Sequence, residues 1–304
     1  MKHLLNIVRT YILPLAILVG CLAYKYLAEY GSMTPYLLAV MMFLAFCKIN
    51  PSKLRFKLWH LWVLLIQIGG SLLLYAIFRP IDNVLAQGMM VCVLAPTAIA
   101  AAVITGKLGG EVESLTAFTV ISNLAVSIVV PILFPLIVES DVHPDFLTGF
   151  LTIISRVFPL LLGPLAVAFL MQKIAPKFVA ICLKYKNVDF YLLALSIAIV
   201  SARTVQSLVE DEYNGLIAIA LAVGSLVITI ALFIIGKKVG QPYNDRISAG
   251  QALGQKNNIL AIWMTQTYLG ATGPIAAIGP SMYVLWQNLV NTYQIWRVQH
   301  GKQI

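Results

Sequence analysis

Charge is what this chain lacks. Of its 304 residues only 11% are charged, 12 of them acidic against 21 lysines and arginines, while 60% are hydrophobic. The mean hydropathy is +0.88. Ordinary soluble domains carry roughly a quarter charged residues, so this composition excludes one, and no stretch outside the apolar runs is long enough to form one. Cysteine is scarce too. Cys21, Cys47, Cys92 and Cys182 all fall in apolar runs without a CxxC pair or a metal spacing, which excludes a redox or zinc motif and leaves them as small packing residues. His3, His60, His143 and His300 are scattered over ends and loops. They make no metal set, no Ser, His and Asp group is expected to converge, and an enzyme is not expected.

The net charge of +9 does not point to nucleic acid, which asks for a basic face with interleaved aromatics or a recognisable module. Here the basic residues lie in short connectors. The opening MKHLLNIVRTYILPLAILVGCLAY has the basic start of a secretory signal, but it lacks small-residue cleavage chemistry and runs on to spanning length.

What is present is a succession of apolar runs, each near the roughly 20 residues that carry a helix across a hydrocarbon core of about 30 Å. With Pro, Gly and charge clusters as punctuation, ten spans are expected, at about 11–30, 34–48, 57–78, 84–105, 113–138, 147–173, 187–205, 213–236, 244–268 and 274–296. The stretch 175–186 reads as an amphipathic connector. On this layout one side of the membrane collects Lys2, Arg9, Lys48, Lys53, Arg55, Lys57, Lys107, Lys173, Lys177, Lys184, Lys186, Lys237, Lys238, Arg246, Arg297 and Lys302. The other collects only Lys25, Arg79 and Arg203. The positive-inside rule then places both termini in the cytoplasm and the chain in an inner (plasma) membrane. Among basic residues only Arg156 and Lys256 remain inside spans.

The connector VESDVHPDF at 138–146 divides the spans five and five, giving a first repeat over 1–140 and a second over 141–304. Five spans in each half means opposite orientation, the inverted-repeat plan of secondary transporters. Spans three and eight, and five and ten, are offset by similar distances, and the same shift carries Pro96 of span four onto Gly254 of span nine. These two spans are the interrupted ones. Span four has Pro96 at its middle, where the ring removes one helical hydrogen bond and crowds the preceding turn. Span nine begins GQALGQKNNILAIW. Backbone groups freed in hydrocarbon cost several kcal/mol unless protein or a wet cavity satisfies them, so interruptions at corresponding places point to a central site. Pro14, Pro131, Pro135, Pro159 and Pro164 also lie in spans and read as kinks.

The run PTAIAAAVITGKLGGE in span four, the ninth-span run from Ala252 to Ala261, and GPSMYVLWQNLVNTYQIW in span ten together resemble the bile acid:sodium symporter family, whose superfamily includes auxin-efflux-type carriers. Pro96 matches the family's Pro-Gly-Gly-x-x-Ser-Asn signature. Gly110 and Glu111 look like its Gly-Asp pair, and Thr119 like a family threonine of span five. Gly254, Asn257, Leu260 and Ala261 agree with the ninth-span motif, and Trp286, Gln287 and Asn288 resemble a Trp-His-Asn segment. The resemblance implies an all-α polytopic fold, ten transmembrane helices as a 5+5 inverted repeat with crossed discontinuous helices 4 and 9. It further implies a six-helix core beside a four-helix panel made of spans one, two, six and seven.

The departures fall on the sodium sites. Family members hold two sodium ions with the Ser-Asn of span four and a Glu and Gln of span nine; the matching positions here are Ala101, Ala102, Ala252 and Lys256. Methyl groups offer no oxygen ligands and an ammonium repels a cation, so no cofactor or metal is expected and sodium coupling is doubted, with proton coupling or uncoupled flux in its place. Lys256 has three readings: an ammonium bonded to unwound carbonyls in the room of a missing ion, a residue whose protonation couples to transport, or a counter-charge for an anionic substrate. The candidate site comprises Pro96, Thr97 and Thr105, Thr119 of span five, Gln251, Gln255, Lys256, Asn257 and Asn258, and Gln67 of span three. Adjacent Asn257 and Asn258 point about 100° apart on a helix, so both line a cavity only where the helix unwinds. Glu111 and Glu113, at the start of span five, read as helix caps, and Arg156 as a snorkelling or bundle-internal charge.

The expected function is secondary transport of a small organic anion or amphipathic metabolite across the lipid bilayer by alternating access. Rivals are an auxin-efflux-type exporter and a membrane sensor that kept the fold.

Overall fold

The computed structural model describes residues 15–138, 145–184, 188–210 and 215–302. The midpoint connector at 139–144, Pro14, His3, His143, Lys2, Arg9 and Lys186 lie outside them. The described chain is helical, and the one strand-like pairing among its residues is a single antiparallel bridge between Thr97 and Lys256.

The first helices are α1 (residues 15–22), α2 (Tyr24–Leu27) and α3 (Thr34–Phe46), the last two joined by a tight 3-10 stretch, Ala28–Met33. That six-residue 3-10 stretch stands where the break between spans one and two is expected. Next come α4 (Trp59–Phe78), α5 (Asn83–Leu94), α6 (Ala101–Lys107), α7 (Val112–Ile137) and α8 (Phe146–Ile174). The connector expected at 175–186 is a short helix, α9 (Pro176–Lys184), with Val179 its one buried residue. The chain ends with α10 (Val188–Glu210), α11 (Gly215–Gly240), α12 (Arg246–Gly254), α13 (Asn258–Tyr268), the short α14 (Gly273–Ala276) and α15 (Ile278–Gln299).

Among the described residues six helical runs are long and apolar enough to cross a membrane: Tyr24–Phe46, Trp59–Phe78, Val112–Ile137, Phe146–Ile174, Tyr191–Glu210 and Gly215–Tyr243. Span one begins outside the described residues, and three other expected crossings fall short for physical reasons. Spans four and nine are each divided, into α5 with α6 and α12 with α13. The 22 residues of α15 include Gln287, Asn288, Asn291 and Gln294, which dilute its hydropathy. The outward faces of the long helices are apolar; on α11 they carry Ile219, Val223, Val227 and Ile234, all exposed.

Local chemistry sets the ends. Asp82 accepts the Leu85 amide at 2.8 Å to start α5, and Asp145 accepts that of Thr148 at 2.7 Å to start α8. The hydrogen bonds from Thr148 hold the Asp145 carboxyl below its ordinary range. Prolines act by context. Pro131 and Pro135 lie inside an unbroken α7, and Pro159 and Pro164 inside an unbroken α8, whereas Ala95, just before Pro96, has turned to ψ 136° and ends α5.

Two sets of helices pack within themselves and are joined where α7 lies on α8. In one, α10 packs on α2 and α3, and α3 on α8. In the other, α4 lies on α5, α11 on α12, α5 and α15, and α12 on α7. Helices α11 and α12 meet closely, with Gly236 against Ala249 and Gly250, Gly240 against Asp245 and Ala249, and Gly254 against Phe233. A Cβ on Gly236 would strike the Ala249 carbonyl, and one on Gly254 the Phe233 ring. Small residues spaced by four let helix backbones meet this closely. Trp286 pins α15 to the same helix by donating to the Ala222 carbonyl at 3.0 Å.

Candidate functional site

The interruptions of α5–α6 and α12–α13 meet. Ala98 N–H donates to the Gln255 carbonyl at 3.0 Å and Asn257 N–H to the Pro96 carbonyl at 2.8 Å, the two rungs around the Thr97–Lys256 bridge. An unbroken helix would have bonded Thr97 N–H to the Val93 carbonyl and Lys256 N–H to that of Ala252. Neither bond forms. Thr97 N–H goes to Ser122 Oγ of α7 at 3.2 Å, and Lys256 N–H to Gln287 Oε1 of α15 at 3.0 Å. The two abandoned carbonyls are taken by side chains from across the bridge: Lys256 Nζ donates to Val93 O at 2.8 Å, and Thr97 Oγ1 to Ala252 O at 2.6 Å. Gln67 Nε2 covers the Leu94 and Ala95 carbonyls at 2.9 and 3.1 Å and accepts Ser122 Oγ on its own oxygen at 3.0 Å. Tyr283 OH covers that of Gly254 at 2.8 Å. Orphaned backbone groups in a dry interior are costly, and here a specific polar side chain meets each of these.

Lys256 is 1% exposed, and Ala101 and Ala252 are fully buried. The ammonium thus sits in the protein interior, bonded to a freed carbonyl.

Next to the bridge lies a cavity of about 1030 Å³ between the two helix groups. Its wall is apolar, with Met42 of α3, Val103 of α6, Ile197 of α10 and Ile259 of α13. Its floor is polar, made by Gln255, Lys256, Asn257, Asn258, Gln287 and Thr119, and it reaches to Lys48, Lys53 and Lys107, with Glu113 the one acid in its lining. The start of α13 faces this floor: the Asn257 side chain accepts the Leu260 amide at 3.3 Å, and helix N-termini favour negative charge. Both amide atoms of Asn258 are buried without a partner, as is Gln255 Oε1. The unwinding at 255–257 lets Asn257 and Asn258 line the cavity together.

Not every candidate belongs to it. Pro96, Thr97 and Gln67 build the bridge and do not line the cavity. Thr105 is buried with its hydroxyl unpartnered, and Gln251 is turned to Asn291 at 3.1 Å; both lie away from the cavity. Ser122 was not among the candidates, since one hydroxyl in an apolar span carries no distinguishing pattern. Gln287 could have been drawn from the tenth-span motif. Arg156 is exposed on α8.

A second polar centre joins the starts of α4, α7 and α12. Lys57 bridges Glu111 and the buried Asp245, the latter at 3.0 Å. Arg55 pairs with Glu111 at 2.9 Å and Trp59 Nε1 donates to Asp245 at 2.8 Å. Glu111 therefore spends its side chain on ion pairs and makes no side-chain cap to α7, a correction to the capping role expected from its position. A Ser, His and Asp group also converges here against expectation: His60 Nε2 lies 3.1 Å from Ser114 Oγ beside Asp245. His60 Nδ1 accepts the Lys57 amide, so Nε2 carries the proton and donates to the serine. That is the reverse of the direction needed to activate a hydroxyl.

A helical bundle with apolar outer faces, two broken helices joined at their breaks and a cavity beside the join defines a multi-pass membrane protein of transporter type. The chain belongs to the SBF-like CPA transporter family (DUF4137), whose family model matches residues 4–287. This agrees with the resemblance to bile acid:sodium symporters read from the motifs. No curated protein matches the chain.

Proposed function

We propose that the protein is a secondary transporter of small organic anions or amphipathic metabolites that works by alternating access without sodium. The observation that carries this reading is the cavity: an apolar wall for an organic body, a floor of unpartnered amides and a helix N-terminus for an anionic head, and three lysines toward its far end. Ligand sites commonly join a mostly apolar wall to a few convergent polar groups, and half-helix N-termini hold carboxylates in transporters.

The fold reading is ten crossings, with α5–α6 and α12–α13 as crossed, divided spans of two inverted repeats. Matching arrangements in the two halves support it. α4 lies on α5 as α11 lies on α12, and α7 on α12 as α15 on α5. Ser122 of α7 takes the Thr97 amide as Gln287 of α15 takes that of Lys256. Helices α1 to α3, α8 and α10 form the panel. The lysine-rich end of the cavity then faces the cytoplasm of an inner membrane, with both termini on that side.

Lys256, held on Val93 O, takes the place of the coupling ion and keeps the bridge closed in every state. Purified protein in proteoliposomes is expected to accumulate radiolabelled amphipathic carboxylates or sulfonates equally in sodium and potassium buffers, and Lys256→Ala to abolish the flux. Saturable stimulation by sodium defeats the sodium-free reading; ligand binding without flux makes the protein a sensor.

A further inference from the structure

On the lysine- and arginine-rich side, away from the central cavity, the ends of α11 and α15 and the start of α12 enclose a pocket of about 330 Å³. Lys237, Lys238, Arg246 and Arg297 line it, with Ile234 and Tyr293 at its edge; no acidic residue does. Among the described residues none of the four cations forms a salt bridge. Asp245, the acid adjacent to Arg246, is buried and bonded to Trp59 and Lys57.

Scattered basic residues on the inner side of a membrane protein need no ligand, and Lys237, Lys238 and Arg297 each lie in the last turn of a helix, where the dipole favours cations. That account fails for Arg246. It opens α12, whose first turn carries no acid, so a cation there faces the positive end of a nine-residue helix. It also fails for Arg297, whose Nε is buried without a partner while its guanidinium lies over the Tyr293 ring. Lys237 is fixed as well: its stem packs where a Cβ of Gly250 would be, so the tight α11–α12 contact aims it into the pocket.

Four cations converging from three elements with no counter-charge repel one another, and an anion relieves that repulsion. A planar carboxylate presents two oxygens to one side. A phosphate presents several around a tetrahedron and accepts guanidinium forks and ammonium groups from different directions at once. Basic pockets between transmembrane helices on the cytoplasmic side suit anionic lipid headgroups. The neighbouring outer face of α11, with Ile230 and Ile234 exposed, offers an acyl chain a path down from such a headgroup.

We propose that this pocket binds a phosphate group, supplied by an anionic phospholipid or by a soluble phosphate, at a site separate from the transport cavity. The test is thermal unfolding of the purified full chain with added phosphatidylglycerol, with phosphatidylcholine, and with inorganic pyrophosphate at constant ionic strength. Phosphatidylglycerol is expected to raise the melting midpoint by about 3 °C or more over phosphatidylcholine, and Lys237→Gln/Arg297→Gln to remove the rise. If pyrophosphate alone gives the rise, and the double variant loses it, the phosphate source is soluble and the site stands. Should that variant not fold, the exposed pair Lys238→Gln/Arg246→Gln is expected to cut the rise by at least half. No rise with either phosphate source, or the same rise in wild type and variants, overturns the proposal.

Discussion

Thr97 and Lys256 each satisfy the carbonyl that the other's backbone amide has left: the Lys256 ammonium binds Val93 O at 2.8 Å, and the Thr97 hydroxyl binds Ala252 O at 2.6 Å. The exchange makes each break depend on the other half of the chain. Thr97→Val keeps shape but strips Ala252 O of its donor, and is expected to cost about 1–3 kcal/mol, read as the shift in unfolding midpoint in detergent. Because the two residues face one another, Thr97→Val and Lys256→Met are expected to be non-additive by about 0.5 kcal/mol or more in a double-mutant cycle. Strict additivity is the contrary result.

Ala101, Ala102, Ala252 and Lys256, which the resemblance to bile acid:sodium symporters aligns with sodium ligands, carry methyl groups and an ammonium. Restoring oxygens at all of them, with Ala101→Ser, Ala102→Asn, Ala252→Glu and Lys256→Gln together, is expected to make uptake depend on sodium. Lys256→Gln alone supplies one amide and no other ligand, so it is expected to lower flux without conferring a sodium response. Paired uptake assays in sodium and potassium read both outcomes.

Asn258 has both side-chain polar atoms buried and unpartnered at the cavity floor. Removing a group that makes no protein hydrogen bond sacrifices none, so Asn258→Ala is expected to leave the melting midpoint within about 2 °C of wild type. The same change is expected to raise the KM for the transported anion about tenfold, the scale of one lost hydrogen bond to a charged group. A large drop in midpoint with KM unchanged would assign the residue to packing.

Lys57 holds a carboxylate whose side chain is 1% exposed, whereas Arg55, on the same cluster, is 69% exposed. Lys57→Met leaves Asp245 charged and short of its cation, expected to cost on the order of 3 kcal/mol. Arg55→Gln is expected to cost under about 1 kcal/mol. Chemical denaturation of the two variants ranks them.

At the cavity's far end, neutralising Lys48, Lys53 and Lys107 with glutamine removes three positive charges from the approach path. Apparent affinity for an anion is expected to fall, by about tenfold at low salt and much less at high salt, since long-range attraction between exposed charges is screened. Uptake measured across ionic strength checks it.

How much of this was legible beforehand depends on what a residue type advertises. Pro131, Pro135, Pro159 and Pro164 sit in unbroken helices, so Pro96 was legible as an interruption only together with the polar run 250–258 at the matching place, and both helices do break there. The amphipathic connector at 175–186 showed as well. The partners of those interruptions were harder to read. Val93 O is a main-chain atom behind an apolar side chain, and Ser122 is one small hydroxyl in an otherwise greasy span. The Lys57, Glu111 and Asp245 cluster draws on three distant connectors, so nothing in any one of them foretold it; Glu111 in isolation resembled a helix cap. The glycines at 236, 240, 250 and 254 do not name their partners, because the pairing of α11 with α12 exists only in three dimensions.

Main-chain bonds between Pro96, Ala98, Gln255 and Asn257 weld α5–α6 to α12–α13, so neither divided helix can slide past the other without breaking the join. The seam toward α10 is lighter: Gln266 donates to Thr204 at 3.0 Å across it, amid apolar side chains. In the proposed transport cycle the welded cross is the anvil, and the lighter seam is where displacement falls.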